Sequence, residues 1–176
     1  MGAFKEAHGG ELKQLYLSEA AAGEMKETAV DFRSWNLTER QACDIELILN
    51  GAFSPLDGFL TRDEYDAVLQ DMRLPSGILW PIPITLDVSE KFASKVEQGE
   101  FIALRDREGA LIATLQVSDI WVPDKVAEAR QAFGTNDPAH PGVRYLMEQR
   151  AFPGSRIQKM LFHQRMCRSL YFRSPE

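Results

Sequence analysis

Three histidines are the side chains of this sequence best suited to acid–base or anion-binding chemistry near neutral pH. They are His8, His140 and His163, and no two of them are spaced to share a metal ion or a phosphate. His140 precedes Pro141-Gly142, a pattern typical of a helix start, where free main-chain amides can bind an anion. The simpler interpretation, which we prefer, is that His140 is a polar group that caps a turn.

Carboxylates and a thiol near position 44 are a second group of candidates. Asp44 and Glu46 are two residues apart, and residues at that spacing do not face each other on a helix. We therefore interpret them as charges on a solvated face rather than as an acid–base pair. Cys43 lies at a predicted helix start, where a thiolate is favoured, but a buried or half-buried, inert thiol is the interpretation we prefer. Cys43 and Cys167 are the only cysteines, and we expect free thiols.

Glycines, arginines and tryptophans complete the set of candidates. The turn at Gly51, Pro55 and Gly58 lacks the Gly-Lys-Ser/Thr ending of a P-loop, so we assign these residues to turn geometry rather than to phosphate binding. Three arginines could face an active site built by another domain, although exposed surface charge is the default; they are Arg40, Arg62 and Arg73. The expected core anchors or domain contacts are Trp35, Trp80 and Trp121. These residues assign no catalytic, cofactor-binding or metal site.

Local signals predict the elements that position these residues. Capping boxes at Thr38–Gln41 and Thr61–Glu64 start two helices. Gly51 suits the left-handed position that ends the first helix. In the turn that follows, Pro55 sets φ and Gly58 permits a positive φ. The prediction is two capped helices joined by a tight turn.

Strands are predicted in the middle of the chain. Residues 79–88 alternate as a half-buried strand does, and their prolines place its start at a sheet edge. Residues 101–105 and 110–117 flank a glycine-containing turn and predict a hairpin, and residues 119–122 add a short strand. Further helices are predicted over residues 12–19, 124–131 and 142–149, the last with Pro141 in its first turn. This order implies an α+β fold with a small, mostly antiparallel sheet or barrel and short flanking helices.

Charge and hydropathy bound the partners and the location. The 176 residues carry a net charge of −6, which weighs against a nucleic-acid partner. No apolar run approaches the roughly 20 residues that cross a bilayer, and the N-terminus lacks a secretory signal, so we expect a cytoplasmic protein. Residues 151–176 are basic, with five Lys and Arg against one Glu, and contain apolar runs. We expect this tail to dock on its own chain, on a second copy or on another domain.

Several blocks of this sequence share their order and spacing with one enzyme family. They are His8–Gly10, Trp35–Leu60, Met72–Val88, and Val122–Lys125 with Phe133–Val143. Together they resemble the N-terminal part of ATP sulfurylase (sulfate adenylyltransferase) from about residue 8 to residue 150. The resemblance implies a PUA-like β-barrel with flanking helices. It also implies an N-terminal arm over residues 1–33, the PUA-like domain over 34–152 and a divergent linker or tail over 153–176.

The resemblance further implies that the chemistry takes place elsewhere. In this family catalysis belongs to the next domain, where a Gln-x-Arg-Asn-Pro stretch and a His-x-x-His pair hold ATP and sulfate. Neither motif occurs in this sequence, because Gln164-Arg165-Met166 is followed by neither Asn nor Pro. We therefore expect a noncatalytic domain that is inactive alone and has no cofactor of its own, whereas the full-length family uses ATP and Mg²⁺. The expected partner is a catalytic ATP-sulfurylase domain or a second copy bound through the tail.

Two other functions remain open from the sequence. One is a stand-alone accessory subunit, and the other is an RNA- or nucleotide-binding PUA-like module. A truncated gene product, a frameshifted one and an independent protein are all compatible with the residues of the tail.

Overall fold

The computed structural model of this protein describes residues 6–148, 155–157 and 160–162. The helices are α1 (Glu19–Thr28), α2 (Glu39–Leu49), α3 (Arg62–Asp71), α4 (Glu90–Ala93), α5 (Lys125–Phe133) and α6 (Pro141–Glu148). The strands are β1 (Arg33–Asn36), β2 (Leu86–Val88), β3 (Phe101–Arg105), β4 (Leu111–Gln116), β5 (Ser155–Ile157) and β6 (Met160–Phe162). The α+β class predicted from the sequence is confirmed.

The chain divides into two compact units. The first unit falls within Met1–Gly58, Glu100–Gln116 and Lys159–Glu176, and the second within Phe59–Gly99 and Val117–Gln158. Predictions for most of the tail, including His163 and Cys167, lie outside the described residues. Among the helices of the described residues, none combines the length and hydropathy that a bilayer crossing requires.

In the first unit, the helix predicted over residues 12–19 is in the wrong place. Helix α1 begins only after Ser18, whose Oγ accepts a hydrogen bond from the amide of Ala21 at 3.3 Å. The helix then follows the alanine-rich run, because alanine has the highest intrinsic helix propensity. Residues before Ser18 are extended, and the amide of Leu15 donates to the carbonyl of Leu49 at 3.0 Å.

The capped helix α2 forms as predicted. The side chain of Thr38 accepts from the amide of Gln41 while the Gln41 side chain accepts from the amide of Thr38, which completes a capping box. Helical spacing then places Ile45, Ile48 and Leu49 on the buried side. After the helix, Gly51 has a φ of 83°, the left-handed conformation expected of it.

The sheet of the first unit has the order β1-β3-β4-β6. Strands β3 and β4 form the predicted hairpin, in which the Asp106 carboxylate accepts from the amides of Glu108 at 2.9 Å and Ala110 at 2.8 Å. Strand β1 was not predicted and pairs with β3 in parallel, whereas the other two pairings are antiparallel. Strands β1 and β6 are the two edges of this sheet, so the closed barrel is not confirmed among the described residues.

In the second unit, α3 also forms from its predicted capping box at Thr61 and Glu64. The strand predicted from residue 79 begins only at Leu86, where β2 pairs with β5. Pro81 and Pro83 precede it, and proline has no N–H to donate to a ladder. The strand predicted over 119–122 is absent, because the Asp119 side chain instead accepts the amide that starts α3, at 3.1 Å.

The predicted helices α5 and α6 are confirmed. Asp124 caps α5 by accepting from the amides of Val126 and Ala127, each at 3.0 Å. Pro141 is the first residue of α6, where its missing N–H costs nothing. In the turn before α3, the Ser54-Pro55 bond is cis and Gly58 does not take the positive φ that we expected.

Candidate functional site

The three arginines considered as contacts to a foreign active site each have a local partner. Arg40 lies 3.6 Å from Asp44 one helical turn on, and Arg62 makes the equivalent i,i+4 contact, at 3.7 Å, with Asp66. The third, Arg73, donates from Nη1 to a carbonyl four residues on, at 2.8 Å. Exposed i,i+4 pairs contribute only about 0.3–0.5 kcal/mol each. None of these contacts joins one arginine to another or creates an anion site.

His140 lies at the start of α6 and stacks on an aromatic ring. Its ring centroid is 5.2 Å from that of Phe133 with an interplanar angle of 34°. Its amide donates to the carbonyl of Asp137 at 3.0 Å, and its carbonyl accepts from the amide of Arg144, also at 3.0 Å. The Asp137 side chain accepts from the amide of Ala139 at 2.8 Å. These contacts form a turn that leads into a helix.

The same turn gives a test of packing at Gly142. A Cβ added there would lie 2.9 Å from two ring carbons of Phe133 and 3.3 Å from Cε1 of His140. We expect Gly142→Ala to lower the free energy of unfolding by about 1 kcal/mol, because overpacking costs roughly 1–3 kcal/mol while alanine in a helix returns up to about 1 kcal/mol. Urea denaturation followed by circular dichroism measures the change.

The matched control for this substitution is Gly23→Ala, in the interior of α1. A Cβ at Gly23 would meet nothing within 4 Å, so the propensity gain of about 0.5–1 kcal/mol acts alone and should stabilise the chain. Equal stabilisation by both substitutions would show that the Phe133 ring moves aside without cost.

Cys43 is exposed, so the expectation of a buried or half-buried thiol is wrong. The buried side of α2 includes Gln41 and Ile45. A residue two positions from each of them is turned about 200° away at 100° per residue. Asp44 contacts Arg40 rather than pairing with Glu46 as an acid–base couple would require. Among the described residues, no group of three or more His, Cys, Asp and Glu side chains is arranged to hold a metal ion.

The space beside Gly51 is filled by the N-terminal arm. A Cβ added at Gly51 would lie 2.7 Å from Cδ1 of Leu12 and 2.8 Å from the carbonyl of Lys13. The Ser54 hydroxyl donates to the carbonyl of Gly51 at 2.6 Å and accepts from the amide of Lys13 at 2.9 Å. The glycine therefore allows the arm to approach closely, and the space that a phosphate would need is occupied.

The side chain of Lys13 adds an exposed ion pair to the arm. Its Nζ donates to the Glu11 carboxylate at 2.9 Å. That hydrogen bond, then the charge of Glu11 and, more weakly, the charge of Asp57 raise the pKa of Lys13. Because the contact is exposed, the bonds of the arm's main chain, not this pair, position the arm.

The most buried polar contact of the second unit joins α3 to α5. The Tyr65 hydroxyl donates to the Glu128 carboxylate at 2.8 Å, and both side chains are buried. The Tyr65 ring lies 6.0 Å from the ring of Trp121, also buried, whose indole N–H makes no hydrogen bond to the described residues. Sequence reasoning missed Glu128, because a carboxylate in a short amphipathic helix ordinarily signals the solvent side.

The tryptophans have different surroundings. Trp121 is a core residue, as expected, whereas Trp35 and Trp80 are only half-buried. The indole N–H of Trp35 donates to the Gln41 side chain at 3.3 Å, the same oxygen that closes the capping box. Trp35 therefore links β1 to the start of α2.

Relatives of known identity share this sequence over most of its length. A family model described as PUA-like domain matches residues 5–154. The chain is 50% identical to a sulfate adenylyltransferase of Eremothecium gossypii over 142 residues, which is 80% of this chain and 28% of that protein. It is 48% identical to a sulfate adenylyltransferase of Saccharomyces cerevisiae over 142 residues, 79% of this chain and 28% of that one. These matches confirm the resemblance that the sequence blocks indicated.

A bacterial relative and a solved structure agree with this. A sulfate adenylyltransferase of Symbiobacterium thermophilum is 44% identical over 142 residues, 81% of this chain and 36% of that protein. The solved structure is described as hexameric APS kinase from Thiobacillus denitrificans. It superposes with a TM-score of 0.69 at 26% identity and covers 94% of this chain but 28% of that one. The chain thus spans between a quarter and two-fifths of the length of these four proteins.

Proposed function

This chain belongs to the PUA-like domain family, and from that premise we propose that it serves as the noncatalytic domain of a sulfate adenylyltransferase. The observation that carries the proposal is the 44–50% identity to enzymes of that name over roughly four-fifths of this chain but only 28–36% of theirs. The supported reaction is the activation of sulfate by ATP, which gives adenosine 5′-phosphosulfate and pyrophosphate. The cell compartment that fits this role is the cytoplasm.

The described side chains support a role without chemistry. Transfer of a nucleotide to sulfate develops negative charge on the phosphates and needs several positioned cationic groups or hydrogen-bond donors. Here Arg40 and Arg62 are each engaged with a carboxylate one turn away. Among the histidines, His140 stacks on an aromatic ring. The expectation of no catalytic residue and no cofactor of its own is carried into the proposal.

The proposal predicts that the purified chain releases no pyrophosphate above blank when supplied with ATP, Mg²⁺ and sulfate. A coupled pyrophosphate assay measures this, with the Saccharomyces cerevisiae sulfate adenylyltransferase as the positive control. The same enzyme provides the complementary test, in which residues 5–154 of this chain replace its own matching residues. Sulfate-dependent pyrophosphate release by this hybrid enzyme is the expected result, and turnover by the isolated chain or an inactive hybrid would refute the proposal.

The partner in this proposal is the remaining, catalytic part of such an enzyme. A second copy of the chain, bound through residues 153–176, is the other partner that the sequence allows. The RNA- or nucleotide-binding alternative has no support in the charge of the chain, which is −6 overall.

A further inference from the structure

A hairpin between α3 and β2 exposes three large apolar side chains. We call it the 72–82 hairpin, from Met72 to Ile82. The chain is exposed from Gln70 to Gly77 except at Leu74. Within the hairpin, the exposed fraction is 54% for Met72, 51% for Leu79 and 50% for Ile82. Such a concentration of apolar surface on one short segment is typical of an interaction site.

Hydrogen bonds hold this hairpin in one conformation. Arg73 and Leu79 are partners in an isolated antiparallel bridge. The amide of Leu74 donates to the carbonyl of Ile78 at 2.9 Å, and the amide of Trp80 donates to the carbonyl of Met72 at 2.8 Å. The hairpin is therefore ordered although much of its apolar surface is not used in the core.

The backbone at Met72 supports the same interpretation. Its φ of 52° is the one left-handed non-glycine conformation among the described residues, and long side chains adopt that region only where the surroundings impose it. Strained backbone of this kind concentrates at functional sites. The strain turns the chain out of α3 and into the hairpin, so it maintains an exposed segment instead of a buried one.

We propose that the 72–82 hairpin is the element by which this chain docks on the catalytic part of a sulfate adenylyltransferase, an inference that rests on the function proposed above. Bridge partners share one face of a two-stranded ribbon, so Leu79 lies on the face of Arg73, and Met72 lies on the other face with Trp80. Apolar side chains on both faces fit insertion into a cleft rather than contact with a flat surface. Methionine and arginine are enriched at such interfaces.

The size of the relatives identifies the occupant. The chain covers 28% of the two yeast-type relatives described above, so about 70% of each polypeptide lies outside the match. That remainder is large enough to supply a cleft for the hairpin. A partner of this kind buries apolar side chains that are exposed in this chain, which explains why they are compatible with a protein of ordinary surface composition.

Hydrogen exchange on the hybrid enzyme and on the isolated full chain tests the docking. In the hybrid, the peptide covering the hairpin should exchange about tenfold or more slowly than in the isolated chain. The double variant Leu79→Ser and Ile82→Ser should remove that protection. The control is Val30→Ser in the first unit, where the side chain is 73% exposed, and it should leave the protection unchanged.

Each result has a distinct meaning. A hybrid without sulfate-dependent turnover overturns the proposed function and the docking with it. An active hybrid whose hairpin exchanges as fast as in the isolated chain overturns the docking alone. Slow hairpin exchange in the isolated chain, together with a doubled mass in sedimentation, would assign the hairpin to a second copy and would also overturn the docking on a catalytic part.

Discussion

Replacing Gly51 with alanine is expected to lower the free energy of unfolding by about 2–4 kcal/mol. One part of this loss is backbone strain, because an alanine at a φ of 83° costs roughly 1–2 kcal/mol. The other part is steric, because the new Cβ would lie 2.7 Å from Leu12 and 2.8 Å from the carbonyl of Lys13, and overpacking costs roughly 1–3 kcal/mol. Urea denaturation measures the total.

The matched control separates the two parts. Gly109 has nearly the same φ, 85°, lies in the same unit, and has nothing within 4 Å of an added Cβ. Gly109→Ala should therefore lose only the strain of about 1–2 kcal/mol. Hydrogen exchange at the Leu15 amide, which bonds to Leu49, should accelerate in Gly51→Ala and not in the control. Equal losses in the two variants would mean that the arm does not need close approach at Gly51.

Replacing Tyr65 with phenylalanine is the second large expected effect, a loss of about 1–3 kcal/mol. The change removes a hydroxyl that donates at 2.8 Å to the carboxylate of Glu128, which is 7% exposed. A buried acceptor that loses a partner costs approximately this amount. The phenylalanine ring keeps the aromatic contact with Trp121, so the lost hydrogen bond dominates the change. Urea denaturation again measures it.

Two further variants define the origin of this loss. Tyr145→Phe changes a tyrosine of the same unit that is 37% exposed, and its effect should stay within about 0.5 kcal/mol. Combining Tyr65→Phe with Glu128→Leu should cost less than the sum of the single changes, because the double variant leaves no carboxylate in need of a partner. Strict additivity would show that the two side chains stabilise the unit independently.

Helix starts and the β3–β4 hairpin were predictable because their determinants are local. A capping box joins residues three apart, so Thr38 and Thr61 specify the beginnings of α2 and α3 without any distant contact. The hairpin turn is equally self-contained, since Asp106 bonds amides two and four residues on. The same locality allowed Asp124 and Pro141 to mark α5 and α6.

Elements that depend on distant partners were missed or misplaced. Strand β1 has little alternation of its own and exists through parallel pairing with β3, about 70 residues away in the sequence. Residues 12–15 have a helix-like composition, but the bonds from Lys13 to Ser54 and from Leu15 to Leu49 keep them extended. Such long-range bonds override weak intrinsic propensity.

The sequence by itself determined the family, the capped helices and the lack of the catalytic motifs, because motifs and caps are defined by residue type at short spacing. Only the tertiary structure decided which side of each short helix is buried, and so exposed Cys43 and buried Glu128. It also decided that the 72–82 hairpin presents its apolar side chains to solvent. Burial is a property of the elements packed around a residue, and one-dimensional spacing does not contain it.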